Sequence, residues 1–132
     1  IEMFVTSDDK VLINEIAPRV HNSGHHTLQS CNTSQFDQHL RAILGMDLGD
    51  SSIKYPTIMY NILGPKTFQG EYNVLFKKQE NVHLKMYGKL ESKPQRKIGH
   101  VNIVGKENLG MDELFNQLEN LKKNLVIEPK QI

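Results

Sequence analysis

The chain has 132 residues, of which 38% are hydrophobic and 23% charged, and its formal net charge is +1. That mixture excludes a low-hydropathy disordered tail, and no apolar run approaches the ~20 residues that a membrane-crossing helix needs. The near-neutral balance gives no global field toward nucleic acid or a membrane surface, and the single Cys31 admits no internal disulfide, which suits a reducing cytosol.

The first two runs, Glu2–Thr6 and Val11–Ile16, are rich in β-formers, and Ser7-Asp8-Asp9-Lys10 between them is turn chemistry. A four-residue loop closes Thr6 against Val11, which pairs Val5 with Leu12, Phe4 with Ile13, Met3 with Asn14 and Glu2 with Glu15. Two carboxylates then face each other with Cβ atoms roughly 5 Å apart, where like charges repel. Such a pair is either a solvated hairpin end or a site for a shared proton or a divalent cation. The alternation of faces directs the Asn14 side chain away from both.

Residues 17–27 read as an irregular polar loop punctuated by Pro18 and Gly24. It carries Arg19, His21, Asn22, Ser23, His25 and His26 in eight positions. A zinc site from the histidines is disfavoured. His21 and His25 would share a face only on a helix, which Pro18 and Gly24 oppose, and Cys31 is the only thiol. Asn32-Thr33-Ser34 matches a glycosylation sequon, taken as chance without a secretory signal. A helix follows, capped by Asn32 or Thr33, with Gln35 as the reciprocal partner of an Asn32 cap. Phe36, Leu40, Ile43 and Leu44 form its apolar stripe, and Gly45 ends it. His39 falls off that stripe.

Met46 to Ser52 reads as a linker to a second module. Within that module, Tyr55–Leu63 reads as a buried strand and Gly70–Lys78 as a short helix. Val82–Leu90 is an alternating strand with Val82, Leu84 and Met86 on one face, and a turn spans Glu91–Gln95. Ile98–Val104 returns as a strand. Met111, Leu114, Phe115, Leu118, Leu121 and Leu125 mark an amphipathic helix, with Asp112 and Glu113 at its positive end and Lys122 and Lys123 at the other.

Several runs carry a more specific signal. Glu2-x-Phe4-Val5-Thr6 precedes Leu12-Ile13-Asn14-Glu15-Ile16-Ala17-Pro18-Arg19-x-His21-Asn22-Ser23-Gly24-His25, and then comes Thr33-Ser34-Gln35-Phe36-x-x-His39-Leu40-Arg41-Ala42-Ile43-Leu44-Gly45. Tyr55-Pro56-x-x-Met59-Tyr60-Asn61-Ile62-Leu63-Gly64, Tyr87-Gly88-Lys89 and Arg96-Lys97-x-Gly99-His100 follow in order. Together they resemble the 5-(carboxyamino)imidazole ribonucleotide synthases, also described as the ATPase subunit of phosphoribosylaminoimidazole carboxylase, within the ATP-grasp superfamily.

The resemblance implies an α+β fold. Residues 1–50 are expected to be the C-terminal part of an ATP-grasp domain, with a β-hairpin, the active-site loop and a helix. Residues 51–132 are expected to form a small, mostly antiparallel β module with a terminal helix. The chain then reads as the C-terminal part of a longer cytoplasmic enzyme of purine biosynthesis, a homodimer at full length, with the lysines and Gly-rich loop of its ATP-binding domain upstream. That enzyme consumes ATP and bicarbonate to carboxylate the amine of 5-aminoimidazole ribonucleotide, and has no nucleic-acid or membrane partner.

By the same resemblance Glu2 and Glu15 hold magnesium against ATP phosphates, with Asn14 beside them. Many ATP-grasp enzymes place Asn two residues after the second glutamate, where this chain has Ala17. Arg19, His21 and Asn22 are expected to be catalytic and, with Ser23, to bind substrate. Lys89 and Arg96 are expected to grip the ribonucleotide phosphate. The alternatives are a non-catalytic module for phosphorylated ligands and an ATP-grasp ligase with another acceptor.

Overall fold

The two β-rich runs at the start of the chain form an antiparallel hairpin, strands β1 (Glu2–Val5) and β2 (Val11–Glu15), in a computed structural model that describes residues 1–106 and 110–131. The turn is one residue longer than the sequence reading gave. Thr6 N–H donates to Lys10 O at 2.9 Å, and Asp9 takes φ 59°, a left-handed position that Asp tolerates better than most residues. Val5 therefore faces Val11, Phe4 faces Leu12 and Met3 faces Ile13, a shift of one from the expected register. A bulge then places Asn14 as an extra residue in β2 and restores the opposition of Glu2 and Glu15.

The first of two compact units, Ile1–Ile53, contains this hairpin. Its loop is more regular than expected, with a 3-10 turn over Asn22–His26 running into the short helix α1 (Thr27–Ser30). Helix α2 (Gln35–Ile43) is capped by Ser34, not by Asn32 or Thr33. The Ser34 hydroxyl accepts from Asp37 N–H, and the Asp37 carboxylate reaches back to Ser34. The Ser34 hydroxyl holds the Asp37 carboxyl below its ordinary pKa. Gly45, at φ 65°, ends the helix as anticipated. Its N–H bonds Ala42 O, and Met46 N–H bonds Arg41 O, a paired closure that satisfies two terminal carbonyls. The stretch read as a linker is tied back at its middle by Gly49 N–H to Gln38 Oε1 and at its end by Asn32 N–H to Ser52 O at 3.0 Å.

In the second unit, Lys54–Ile132, a three-stranded antiparallel sheet runs in the order β3 (Thr57–Leu63), β6 (Lys97–Val104), β5 (Val82–Met86). The central strand β6 is buried from Ile98 to Ile103, while β5 keeps the predicted alternation with His83 and Lys85 exposed. Helix α3 (Met111–Asn124) turns Leu114, Leu118 and Leu121, one stripe at helical spacing, into a core with Ile62, Val82, Ile98, Val101 and Ile103.

The expected short helix over Gly70–Lys78 is instead strand β4 (Tyr72–Leu75), paired antiparallel with β7 (Val126–Pro129). Its partner comes from more than fifty residues away, so a local pattern could not reveal it. Tertiary pairing overrides a weak local preference here.

Truncating the α3–β6 contact should destabilise the second unit selectively. We expect Leu114→Ala, at a fully buried position, to cost about 2–5 kcal/mol in urea unfolding. Amide exchange should be slowest along β6 and fast along β1 and β2. Equal protection of the hairpin and β6 would contradict this division of burial.

Candidate functional site

The site in the first unit is built from the bulge outward. Because Asn14 is the extra residue, its side chain swings to the carboxylate face, contrary to the strict alternation expected from the sequence. Asn14 Nδ2 donates to Glu2 Oε1 at 2.6 Å. Glu15 lies opposite Glu2 in the ladder. From the loop, the His21 ring reaches back to both acids. Its Nε2 is 2.6 Å from Glu15 Oε1 and its Nδ1 is 3.8 Å from Glu2 Oε2.

The tautomer follows from the neighbours. Ser23 N–H donates to His21 Nδ1 at 3.3 Å, and Ser23 Oγ is 2.8 Å from the same nitrogen. A backbone N–H can only donate, so Nδ1 accepts and the ring proton sits on Nε2, facing Glu15. One ligand atom each from Glu2, Glu15 and His21 lies within 4.8 Å of the others. With Ser23, Gly24, Ala17 and Gln35 they line a cavity of about 150 Å³. Two carboxylates with an amide at their edge are an oxygen donor set, which fits a hard divalent cation such as magnesium. The His21 nitrogen fits better as the partner that orients Glu15 than as a ligand to such an ion.

The structure does not bring every predicted residue to this cluster. Arg19 is exposed, and its Nη1 donates to Val20 O at 3.0 Å. It lines a neighbouring groove of about 500 Å³ with Thr27, Cys31, Gln38 and His39. Asn22 opens the 3-10 turn. Ala17 and Gln35 border both cavities. Gln35 was read only as a capping partner, yet its side chain bonds the backbone of His21. Its place in the quoted run Thr33-Ser34-Gln35-Phe36 was the available signal, and helical spacing alone gave it no role.

In the second unit, Lys89 and Arg96 lie on the connection between β5 and β6. Lys89 is exposed and Arg96 half-buried, with Arg96 Nη1 donating to Glu91 O at 3.3 Å. The backbone here is tightly held. Gly64 N–H donates to Arg96 O at 2.8 Å, and Gln95 N–H returns to Gly64 O at 3.0 Å. A Cβ on Gly64 would stand 2.1 Å from Lys93 O, so only glycine fits between β3 and this turn.

Residues 1–36 match the ATP-grasp domain, and residues 57–113 match the phosphoribosylaminoimidazole carboxylase C-terminal domain. The N5-carboxyaminoimidazole ribonucleotide synthase of Bacillus subtilis is 41% identical over 121 residues, which cover 91% of this chain and 31% of that protein. The crystal structure of N5-carboxyaminoimidazole ribonucleotide synthetase from Thermotoga maritima superposes with a TM-score of 0.85 at 36% identity. It covers 97% of this chain and 36% of that one. Over more than nine-tenths of its length the chain is similar to N5-carboxyaminoimidazole ribonucleotide synthases. It spans about a third of the length of these synthases. A synthase of this family from Aspergillus clavatus, solved in complex with ADP and 5-aminoimidazole ribonucleotide, has a TM-score of 0.74 at 32% identity, covering 92% of this chain and 33% of that one.

The contact at Gly64 generates a test specific to this turn of the synthase fold. Gly64→Ala should force the 92–96 turn away from β3 and cost about 1–3 kcal/mol, the usual range for overpacking. Urea unfolding of the variant beside wild type checks this. An unchanged midpoint would mean that the turn is free to yield and does not hold Arg96 in place.

Proposed function

We propose that the 132 residues serve as the C-terminal part of a full-length, ATP-dependent carboxylating ligase of the cytoplasm, a homodimer that converts 5-aminoimidazole ribonucleotide, ATP and bicarbonate to 5-(carboxyamino)imidazole ribonucleotide, ADP and phosphate. The single observation that carries this reading is the Glu2–Glu15–His21 cluster, whose atoms lie within 4.8 Å of one another in a chain similar to these synthases. The ADP and ribonucleotide bound to the Aspergillus clavatus relative support the choice of substrates.

In this reading a bicarbonate oxygen attacks the terminal phosphorus of ATP, and ADP leaves. The carboxyphosphate so formed loses phosphate as carbon dioxide is released. The exocyclic amine of the ribonucleotide attacks that carbon and gives up a proton, closing the N–C bond. Glu2 and Glu15 would hold magnesium, which supplies positive charge to the phosphate oxygens. Asn14 fixes one oxygen of Glu2, and His21 fixes one of Glu15 through Nε2–H. Arg19, with a planar fork of donors on the adjoining groove, suits a planar oxyanion such as bicarbonate, and Asn22 and Ser23 add donors on the same loop. Lys89 and Arg96 would take the ribonucleotide phosphate by charge-assisted bonds.

Two experiments on the full-length enzyme test these assignments. Glu15→Gln keeps the shape and removes a negative ligand, so turnover should fall at least about tenfold, the usual cost of a damaged metal shell. Wild-type turnover at saturating magnesium would remove Glu15 from the ligand set.

The second experiment varies ribonucleotide and bicarbonate separately. Arg19→Ala should lower kcat, because a donor to developing charge typically contributes about 3 kcal/mol in the transition state. Lys89→Ala and Arg96→Ala should mainly raise KM for the ribonucleotide, with some loss of kcat because remote binding energy also helps to position the substrate. An unchanged ribonucleotide KM in Lys89→Ala would reduce that basic turn to a solvated surface.

A further inference from the structure

We infer that Gln35 is a positioning residue for His21: the first side chain of helix α2 fixes the backbone from which the imidazole reaches Glu15. The inference rests on the reading of the Glu2–Glu15–His21 cluster as the working site of a carboxylating ligase.

The Gln35 amide makes three hydrogen bonds into the loop. Oε1 accepts from His21 N–H at 2.9 Å. Nε2 donates to His21 O at 2.8 Å and lies 2.7 Å from His25 Nδ1. The orientation of the amide is decided by its partners, since a backbone N–H only donates and a carbonyl only accepts. His25 Nδ1 must then accept, which puts the His25 ring proton on Nε2. Both backbone polar groups of His21 thus end on one side chain fourteen positions later.

The anchor is itself anchored. Gln35 N–H donates to Thr27 Oγ1 at 2.9 Å, and the Thr27 hydroxyl donates to Gly24 O at 2.6 Å. A Cβ on Gly24 would stand 2.6 Å from Gln35 Oε1, so the glycine leaves room for the amide. His21 lies between β2 and the 3-10 turn and takes part in no named strand. In place of a ladder, the Gln35 amide holds both His21 N–H and His21 O, the carbonyl also accepting from Gly24 N–H at 3.0 Å.

The consequence is geometric. His21 Nε2 stands 2.6 Å from Glu15 Oε1, and a displacement of about 1 Å would take the pair out of hydrogen-bond range. Glu2 and Glu15 would then face each other with only Asn14 beside them. Gln35 therefore acts on the carboxylate pair through His21.

A double-mutant cycle on the full-length enzyme tests this. Gln35→Met keeps the length and removes all three bonds. It should lower kcat about tenfold, the usual loss when a partner behind a working side chain is removed, and leave the ribonucleotide KM unchanged. Added to His21→Ala, the same substitution should cost nothing further. Losses that multiply in the double variant would show that Gln35 does not act through His21.

Amide exchange on the ligand-free protein gives a readout independent of activity. Residues 19–26 should exchange faster in Gln35→Met, with β6 unchanged, and unchanged exchange over 19–26 would overturn the proposal. If β6 also opens, Gln35→Glu replaces the Met variant. It keeps the acceptor for His21 N–H and loses the donors, so its exchange over 19–26 should fall between wild type and fully released. An inactive wild type would count against the ligase reading alone, because the exchange measurement judges Gln35 without it.

Discussion

The first unit depends on one backbone irregularity, the bulge at Asn14. Side chains along a strand alternate between faces, so a five-residue turn closing on Val5 and Val11 would set Glu2 against Asn14 and send Glu15 to the far face. The extra residue in β2 moves Glu15 back into opposition with Glu2. It also turns the Asn14 amide onto the same face, where it donates to Glu2. A single inserted position therefore creates the carboxylate pair and supplies the first group that stabilises it.

The pair remains a like-charge contact, and its neighbours answer that cost. Asn14 donates to one acid, and His21 presents Nε2–H to the other. Neither side chain cancels two negative charges, which leaves the cavity suited to a divalent cation. The His21 ring can serve this way only because Ser23 holds Nδ1 as an acceptor. The order of residues along the loop, His21-Asn22-Ser23-Gly24, thus has a physical meaning. The first residue donates to Glu15, the third sets its tautomer, and the fourth gives the Gln35 amide space.

Part of this was legible in the sequence, for reasons that differ by element. The opposition of Glu2 and Glu15 was expected from a four-residue turn and an unbroken ladder. The structure reaches it by a longer turn and a bulge, two departures of one residue that cancel. Helix α2, its stop at Gly45, the alternation of β5 and the Leu114, Leu118 and Leu121 part of the α3 stripe were readable because periodicity and cap chemistry are local, whereas Met111 and Phe115, expected on the same stripe, are each more than half exposed. The face of Asn14, the role of Gln35 and the β4–β7 pair were not. Each depends on a partner that a short sequence window cannot contain, from a neighbouring strand to a segment more than fifty residues away. The separation of Arg19 from the acid cluster was hidden for a related reason, since adjacency along an irregular loop says little about which groove a side chain enters.

The two units hold their candidate residues by opposite means. In the second, a continuous apolar strand, β6, packs under α3, and the turn bearing Arg96 is clamped to β3 at Gly64. Burial sets geometry there, so the site should tolerate surface polar changes and fail on volume changes beneath it. In the first unit Cys31 is the only buried hydrophobic residue among those described, and Met3, Phe4, Val5, Val11, Leu12 and Ile13 are each more than half exposed. Its geometry is carried instead by directed polar bonds: the Ser34–Asp37 cap, the Thr27–Gly24 link and the Gln35 amide. Such bonds are individually modest but lose their effect steeply with distance and angle. Removing a single donor or acceptor near His21 should therefore disturb the acid pair more than removing a methylene from the hairpin, which is the reverse of the expectation for the second unit.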